Sequence, residues 1–172
     1  MIKNKLLLIL GLILSFILIS PNYLLANEKK NKTFDKNEVV DKAKIYFADL
    51  SEGVGIIIER SFNDFGQPTA YIEGEEFSGA FFGGFRYGGG KIYFKDGTIK
   101  DVYWNGPSLG IDVGANAAKV FTLVYNLNLD NLDNLYIRFP DIEGTLFFAA
   151  GLAINYQKKN GIIITPVRSG LG

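Results

Sequence analysis

Apolar residues along this chain recur first at helical spacing and then, from Ala70 onward, at alternate positions. Val39, Val40, Ala43, Phe47 and Leu50 mark one face of a helix, with Lys36, Asp41, Lys42 and Lys44 on the other. Asp35 with Glu38 three residues on forms a capping box at its start. Glu52-Gly53 interrupts, and Val54 to Phe65 reads as a second helix with Ile58, Phe62 and Phe65 on one stripe. Gly66 and Pro68 supply its stop.

The alternating part predicts strands at Tyr71–Glu75, Phe77–Arg86, Lys91–Lys95, Thr98–Trp104, Ser108–Gly114, Lys119–Tyr125, Glu143–Tyr156 and Ile162–Val167. Asp96-Gly97 is a two-residue hairpin signal, Asn160-Gly161 another, and Ala115-Asn116-Ala117 reads as a small-residue turn. Asp130 to Phe139 reads as a short amphipathic helix aligning Leu132, Leu135, Tyr136 and Phe139, ended by Pro140. Consecutive antiparallel hairpins rich in glycine predict a β-rich α+β fold: a small, strongly curved antiparallel sheet or β-barrel with short flanking helices. Gly83-Gly84 and Gly88-Gly89-Gly90 enter no helix and precede no Gly-Lys-Ser/Thr. They read as corner-turning glycines rather than a phosphate loop.

Before this body lies a different pattern. Lys3 and Lys5 precede an uncharged apolar run from Leu6 to Ile19, and Pro21-Asn22 leads to Ala26. This is the layout of a secretory signal peptide over residues 1–26; an uncleaved anchor reading on through Leu25 is the alternative. Both readings put the body outside the cytoplasm, and an exported chain without cysteine fits the periplasm of a Gram-negative envelope. Residues 27–36 read as a polar linker and 37–172 as one domain, large enough to bury a core. Without the first 26 residues the net charge is about −2, which offers no footprint for nucleic acid.

The 172 residues include no histidine and no cysteine. That excludes disulfides, a Ser-His-Asp triad, a cysteine nucleophile and the ordinary zinc or haem site, and no cofactor is implied. Carboxylates remain. Glu73, Glu75 and Glu76 form the dense group, Glu73 and Glu75 on one strand face and Glu76 on the other. A pair with Asp112 is the geometry an enzyme would need; solvated edge charges, or one carboxylate buried against Arg86, is the reading we favour, and with it a non-enzymatic protein. Asp130, Asn131 and Asp133 lack calcium-loop spacing and read as helix-capping residues.

Several blocks are more specific. Tyr71 to Gly88, Tyr103-Trp104-Asn105-Gly106-Pro107-Ser108-Leu109-Gly110, Leu123-Val124-Tyr125-Asn126, Tyr136-Ile137-Arg138-Phe139-Pro140 and Pro166-Val167-Arg168-Ser169-Gly170 together resemble, in order, the DUF1134 (envelope-integrity protein A-like) family of bacterial periplasmic proteins. The resemblance runs from about Glu38 to the end. It implies an exported barrel that supports cell-envelope integrity with no established catalysis. A more distant resemblance, from Trp104 to Asn126 and Gly144 to Gly151, is to the SYLF domain, which implies lipid binding. The chain ends at Gly172, where members of the first family continue into a further strand, so the sheet either closes differently or keeps an exposed edge.

Arg86, Arg138 and Arg168 all fall in these blocks, as structural partners of carboxylates or as contacts to an anionic ligand. With Glu75, Tyr87 and Trp104 they make up the candidate ligand-binding set. Trp104, Tyr103, Phe81, Phe82, Phe85, Phe147 and Phe148 are core aromatics or the lining of an apolar pocket. The partners considered are a lipid or cell-wall-derived ligand and other envelope proteins; the sequence leaves the oligomeric state open.

Overall fold

The computed structural model describes residues 32–79, 85–107 and 115–169. The signal segment, residues 27–31 of the linker, residues 80–84 (with Phe81 and Phe82), 108–114 (with Asp112) and 170–172 lie outside the described residues.

Helix α1, Lys36–Phe47, opens on the predicted capping box: Glu38 N donates to Asp35 Oδ1 at 3.0 Å and Asp35 N to Glu38 Oε2 at 3.0 Å. A short 3-10 turn, Ala48–Leu50, separates it from α2, Ser51–Phe65. The interruption therefore falls earlier than Glu52-Gly53, which lie inside the first turn of α2. Gly53 is there because a Cβ would stand 2.5 Å from the Ala149 carbonyl oxygen. Small size, not helix breaking, is its role.

Eight strands follow: β1 Ala70–Gly79, β2 Phe85–Phe94, β3 Ile99–Pro107, β4 Ala115–Tyr125, β5 Phe147–Ala149, β6 Leu152–Ile154, β7 Gln157–Lys159 and β8 Ile162–Ser169. All described pairings are antiparallel, in the order β3-β2-β1-β4-β8-β6-β5, with β7 pairing β8. The β-rich α+β architecture is the expected one; several boundaries are not. The stretches read as three pieces between Tyr71 and Lys95 are two ten-residue strands, and Ala115-Asn116-Ala117 belongs to β4 rather than to a turn. The β2–β3 loop has three residues, not two: Phe94 N bonds the Thr98 carbonyl and Gly97 takes a positive φ of 92°, the position a glycine bulge requires. Glu143–Tyr156 is no single strand. Ala150 and Gly151, both at positive φ, fold it into the β5–β6 hairpin. Asn160-Gly161 turns β7 into β8 as expected.

The late helix is a 3-10 segment, Leu129–Leu135, capped by Asn128 with Asn131 rather than by an aspartate. Leu132, Leu135 and Phe139 pack inward as read, whereas Tyr136 is exposed.

Strand alternation divides the apolar residues between two faces. Helices α1 and α2 cover one. There Val39, Phe47, Val54, Ile57 and Ile58 meet Tyr71, Phe121, Leu123, Tyr125, Ile154 and Val167. The other face packs Ile72, Ile92, Phe94, Val102, Val124 and Ile162 against Leu127, Leu132, Leu135 and Phe139. The site lies on that second face.

Candidate functional site

Ile72, Gly74 and Glu76 point to the second face of β1, so the strand carries an apolar residue, a gap and a carboxylate in succession. Antiparallel register brings Gly88 opposite Glu76 and Trp104 opposite Gly88. The indole fills the space the glycines leave. A Cβ at Gly88 would lie 2.3 Å from Trp104 Cε2, and one at Gly74 2.7 Å from its Cη2. At Gly90 a Cβ would strike the Glu73 carbonyl oxygen at 2.1 Å, so the β1 and β2 backbones approach closely there. These glycines do not turn corners. They make a floor for one large ring in mid-strand.

Lying flat, the indole aims Nε1 at Glu76 and donates to Oε2 at 2.8 Å. The other oxygen takes both arginines: Arg168 Nε donates to Oε1 at 3.1 Å, and Arg86 Nη1 reaches it at 3.5 Å. The Glu76 side chain is only 5% exposed. Arg86 also donates from Nε to the Pro107 carbonyl at 2.8 Å, and Arg168 from Nη1 to Asn155 Oδ1 at 2.9 Å. Asn155 and Gln157 in turn both donate to Asp141. Burial pulls the Arg168 guanidinium below its usual pKa, and the Glu76 charge opposes that pull. One carboxylate thus ties β1 to β2, β3 and β8, and through Asn155 to the residue that follows β6.

Of the six candidate residues, three are in this network: Arg86, Trp104 and Arg168. Glu75 is a correction. The alternation of β1 sends it to the helix-facing side, where it is exposed and paired in register with Lys119; the buried carboxylate is its neighbour Glu76. Tyr87 also points away, 60% exposed on the outer side of β2. Arg138 follows the 3-10 segment, is exposed, and makes no ion pair among the described residues. Sequence alternation already separated Glu76 from Glu73 and Glu75; the signal that could have selected it was Trp104, in register beyond the glycine that faces it on β2.

A second feature lies on the outer side of β1, β2 and β3. Phe77 pairs with Tyr87, and Phe85, Tyr87 and Tyr103 stand exposed beyond the cover of the helices. Strand β3 has one paired side among the described residues.

A helix-backed, curled antiparallel sheet pinned by a buried carboxylate–diarginine–indole cluster defines the class: a small barrel-like α+β domain. The chain belongs to the envelope integrity protein A family, whose profile matches residues 32–172. It is similar to the crystal structure of a β-barrel-like, uncharacterized protein from Brucella abortus, with 40% identity, a TM-score of 0.74, and 82% of this chain and 86% of that one covered. No curated protein matches the chain.

Proposed function

We propose that this is an exported, non-enzymatic protein of the periplasm that supports envelope integrity by presenting its outer surface to a protein partner. The observation that carries this reading is the contrast between the two sides of β1–β3. On one, the available charges and the indole N–H are committed to one another. On the other, Phe77, Phe85, Tyr87 and Tyr103 form an uncovered aromatic group beside a side of β3 that pairs with no strand among the described residues, the kind of exposed apolar surface that marks an interaction site. Export is supported by the charged-then-apolar N-terminal pattern, and envelope support by membership of the family.

The test is complementation in the host. A strain lacking the protein receives the wild type or a Phe85→Ser/Tyr87→Ser/Tyr103→Ser variant, and detergent resistance is scored. The variant is expected to accumulate in the periplasm at normal level and thermal midpoint, yet fail to restore resistance. Full restoration would overturn the partner-surface reading. Recovery of the wild type from the cytoplasmic fraction, with its N-terminus intact, would overturn export.

A further inference from the structure

Strand β3 ends the sheet, and no strand pairs with its outer edge among the described residues. The hydrogen-bonding pattern fixes which backbone groups lie there. Phe94 N bonds the Thr98 carbonyl at 2.9 Å, and in an antiparallel ladder such pairs recur at every second residue. Lys100, Val102, Trp104 and Gly106 therefore bond β2, while Ile99, Asp101, Tyr103 and Asn105 turn their N–H and C=O groups outward.

An edge strand of nine residues is ordinarily blunted by charge, proline or a covering element. Lys100 and Asp101 guard one end of β3, and Pro107, with no N–H, closes the other. Residues 102–106 between them carry neither charge nor proline. Nor do their two aromatic rings shield them. Tyr103 leans back over β2, where a Cβ on Gly89 would stand 3.0 Å from its Cδ1. Trp104 lies over Gly88 and Gly74 on the opposite face. Glycine draws both rings off the edge, and the backbone between them is left bare.

We propose that this edge pairs with the same edge of a second copy of the chain, antiparallel about a two-fold axis at Tyr103. In that register β3 is complementary to itself. Tyr103 faces its counterpart, Asp101 faces Asn105 of the second copy, and Val102 faces Trp104. Lys100 lies across the bare backbone of Gly106, and Ile99 meets Pro107. Each unlike pair occurs twice, as an isologous contact requires. The Asn105 carboxamide donates to the Asp101 carboxylate, which keeps its bond to Lys91 at 2.7 Å, and no like charges meet. The pairs formed by Asp101, Tyr103 and Asn105 supply six backbone hydrogen bonds. Other registers are poorer. Centred on Asp101, two carboxylates would stand opposite each other; centred on Asn105, Pro107 would stand where Tyr103 needs a donor. The inference goes beyond the partner-surface reading and rests on the edge alone. The dimer sets the outer faces of both copies on one side, with Phe85 and Tyr87 still uncovered.

The test is sedimentation velocity of the protein, as its host exports it, over a wide concentration range. A monomer–dimer equilibrium is expected with a dissociation constant on the order of 10⁻⁶ to 10⁻⁵ M, as an interface smaller than the standard size gives. Asn105→Asp changes an exposed side chain, sets like charges opposite each other twice, and should weaken the dimer roughly tenfold. Adding Asp101→Asn to it restores unlike pairs and should recover the dimer. The register is read by disulfide trapping, since the chain has no cysteine of its own. Tyr103→Cys places two thiols at the axis, with Cα atoms about 5.5 Å apart, and should cross-link under mild oxidation. Ile99→Cys places them about 27 Å apart and should not. A monomer at every concentration would leave the edge to a strand of another protein and overturn the proposal. So would a dimer indifferent to Asn105→Asp, or cross-linking at Ile99 in place of Tyr103. The Phe85→Ser/Tyr87→Ser/Tyr103→Ser variant keeps every backbone group of β3 and should dimerise within a few-fold of wild type. Loss of its dimer with the fold intact would assign association to the aromatic face instead, so failure of the edge and failure of the partner surface are told apart.

Discussion

The two faces of the sheet are held together by different physics, and Phe121 and Glu76 show how. Phe121 is fully buried among α1 and the sheet, stacked on Tyr71 with ring centroids 5.3 Å apart. Its stabilisation is proportional to area and indifferent to direction. Glu76, across β1, is nearly as buried, but its place depends on three donors each pointing at the correct oxygen. An apolar core degrades gradually when altered. A buried ion cluster fails when one partner is removed, because the remainder is left charged without solvent.

The largest expected effects test that difference directly. Phe121→Ala and Glu76→Ala should each cost about 3–5 kcal/mol, the first through a cavity and the second through two stranded guanidiniums. Urea midpoints will not separate them, but rescue will. Adding Arg168→Met to Glu76→Ala removes one of the unpaired charges and should recover part of the loss, a coupling readable in a double-mutant cycle. Adding Arg168→Met to Phe121→Ala should only deepen the damage. Equal behaviour of the two pairs would mean that the cluster is held by packing alone.

Next in size is Gly88→Ala, at about 1–3 kcal/mol from overpacking. The new methyl group displaces the indole, and with it the Nε1–Glu76 bond. Trp104 is the single tryptophan, so its emission reports the displacement without interference. A red shift at unchanged far-ultraviolet circular dichroism is the expected result; an unshifted spectrum would mean that the floor of glycines has room to spare.

The same local geometry marks what could be read beforehand. Both helices, the capping box, the alternation from Ala70 and the Asn160-Gly161 hairpin were legible, because each is written in neighbouring residues. Arg86, Trp104 and Arg168 were legible as a group. Which carboxylate they share was narrowed by alternation but left unassigned, since the choice between Glu75 and Glu76 depends on which face of β1 the helices cover. The glycines misled for the same reason: Gly74 and Gly88 are explained by a ring on β3, and no local rule distinguishes that from a corner. Leu129–Leu135 failed as an α-helix because Asn131 leaves helical dihedrals, although the inward residues kept their role.

The helix-facing side also carries a pH dependence that the Glu76 side does not share. Burial first, and then the charges of Glu75 and Glu73, push the Tyr46 hydroxyl up to about 12; burial and Glu73 do the same for Tyr71. A raised folded-state pKa means the native protein holds these protons longer than the unfolded chain does. Stability is therefore intact below pH 10 and falls as pH climbs from about 10 towards 12. Urea midpoints between pH 9 and 12 check this, and Tyr46→Phe should make the descent shallower. A descent unchanged in that variant would assign the alkaline loss elsewhere.

The smallest effect comes from the neighbour of the most sensitive carboxylate. Glu75→Gln alters an exposed side chain opposite Lys119, so at neutral pH stability should stay within about 0.5 kcal/mol of wild type. Glu76→Gln, one residue on, cannot be so mild. A carboxamide offers one acceptor oxygen where Trp104 and the arginines need two, and its amino group would face a donor. At high pH the ranking acquires a second test. Removing the Glu75 charge lowers the Tyr46 pKa from its raised value, which narrows the gap to the unfolded chain and reduces the alkaline loss. A tyrosinate absorbance titration of Glu75→Gln should find one hydroxyl ionising at lower pH than in wild type, while Glu76→Gln leaves that titration in place. The two glutamates would then differ in both directions: one almost silent for stability but felt by Tyr46 across its own face, the other costly to stability and unfelt there.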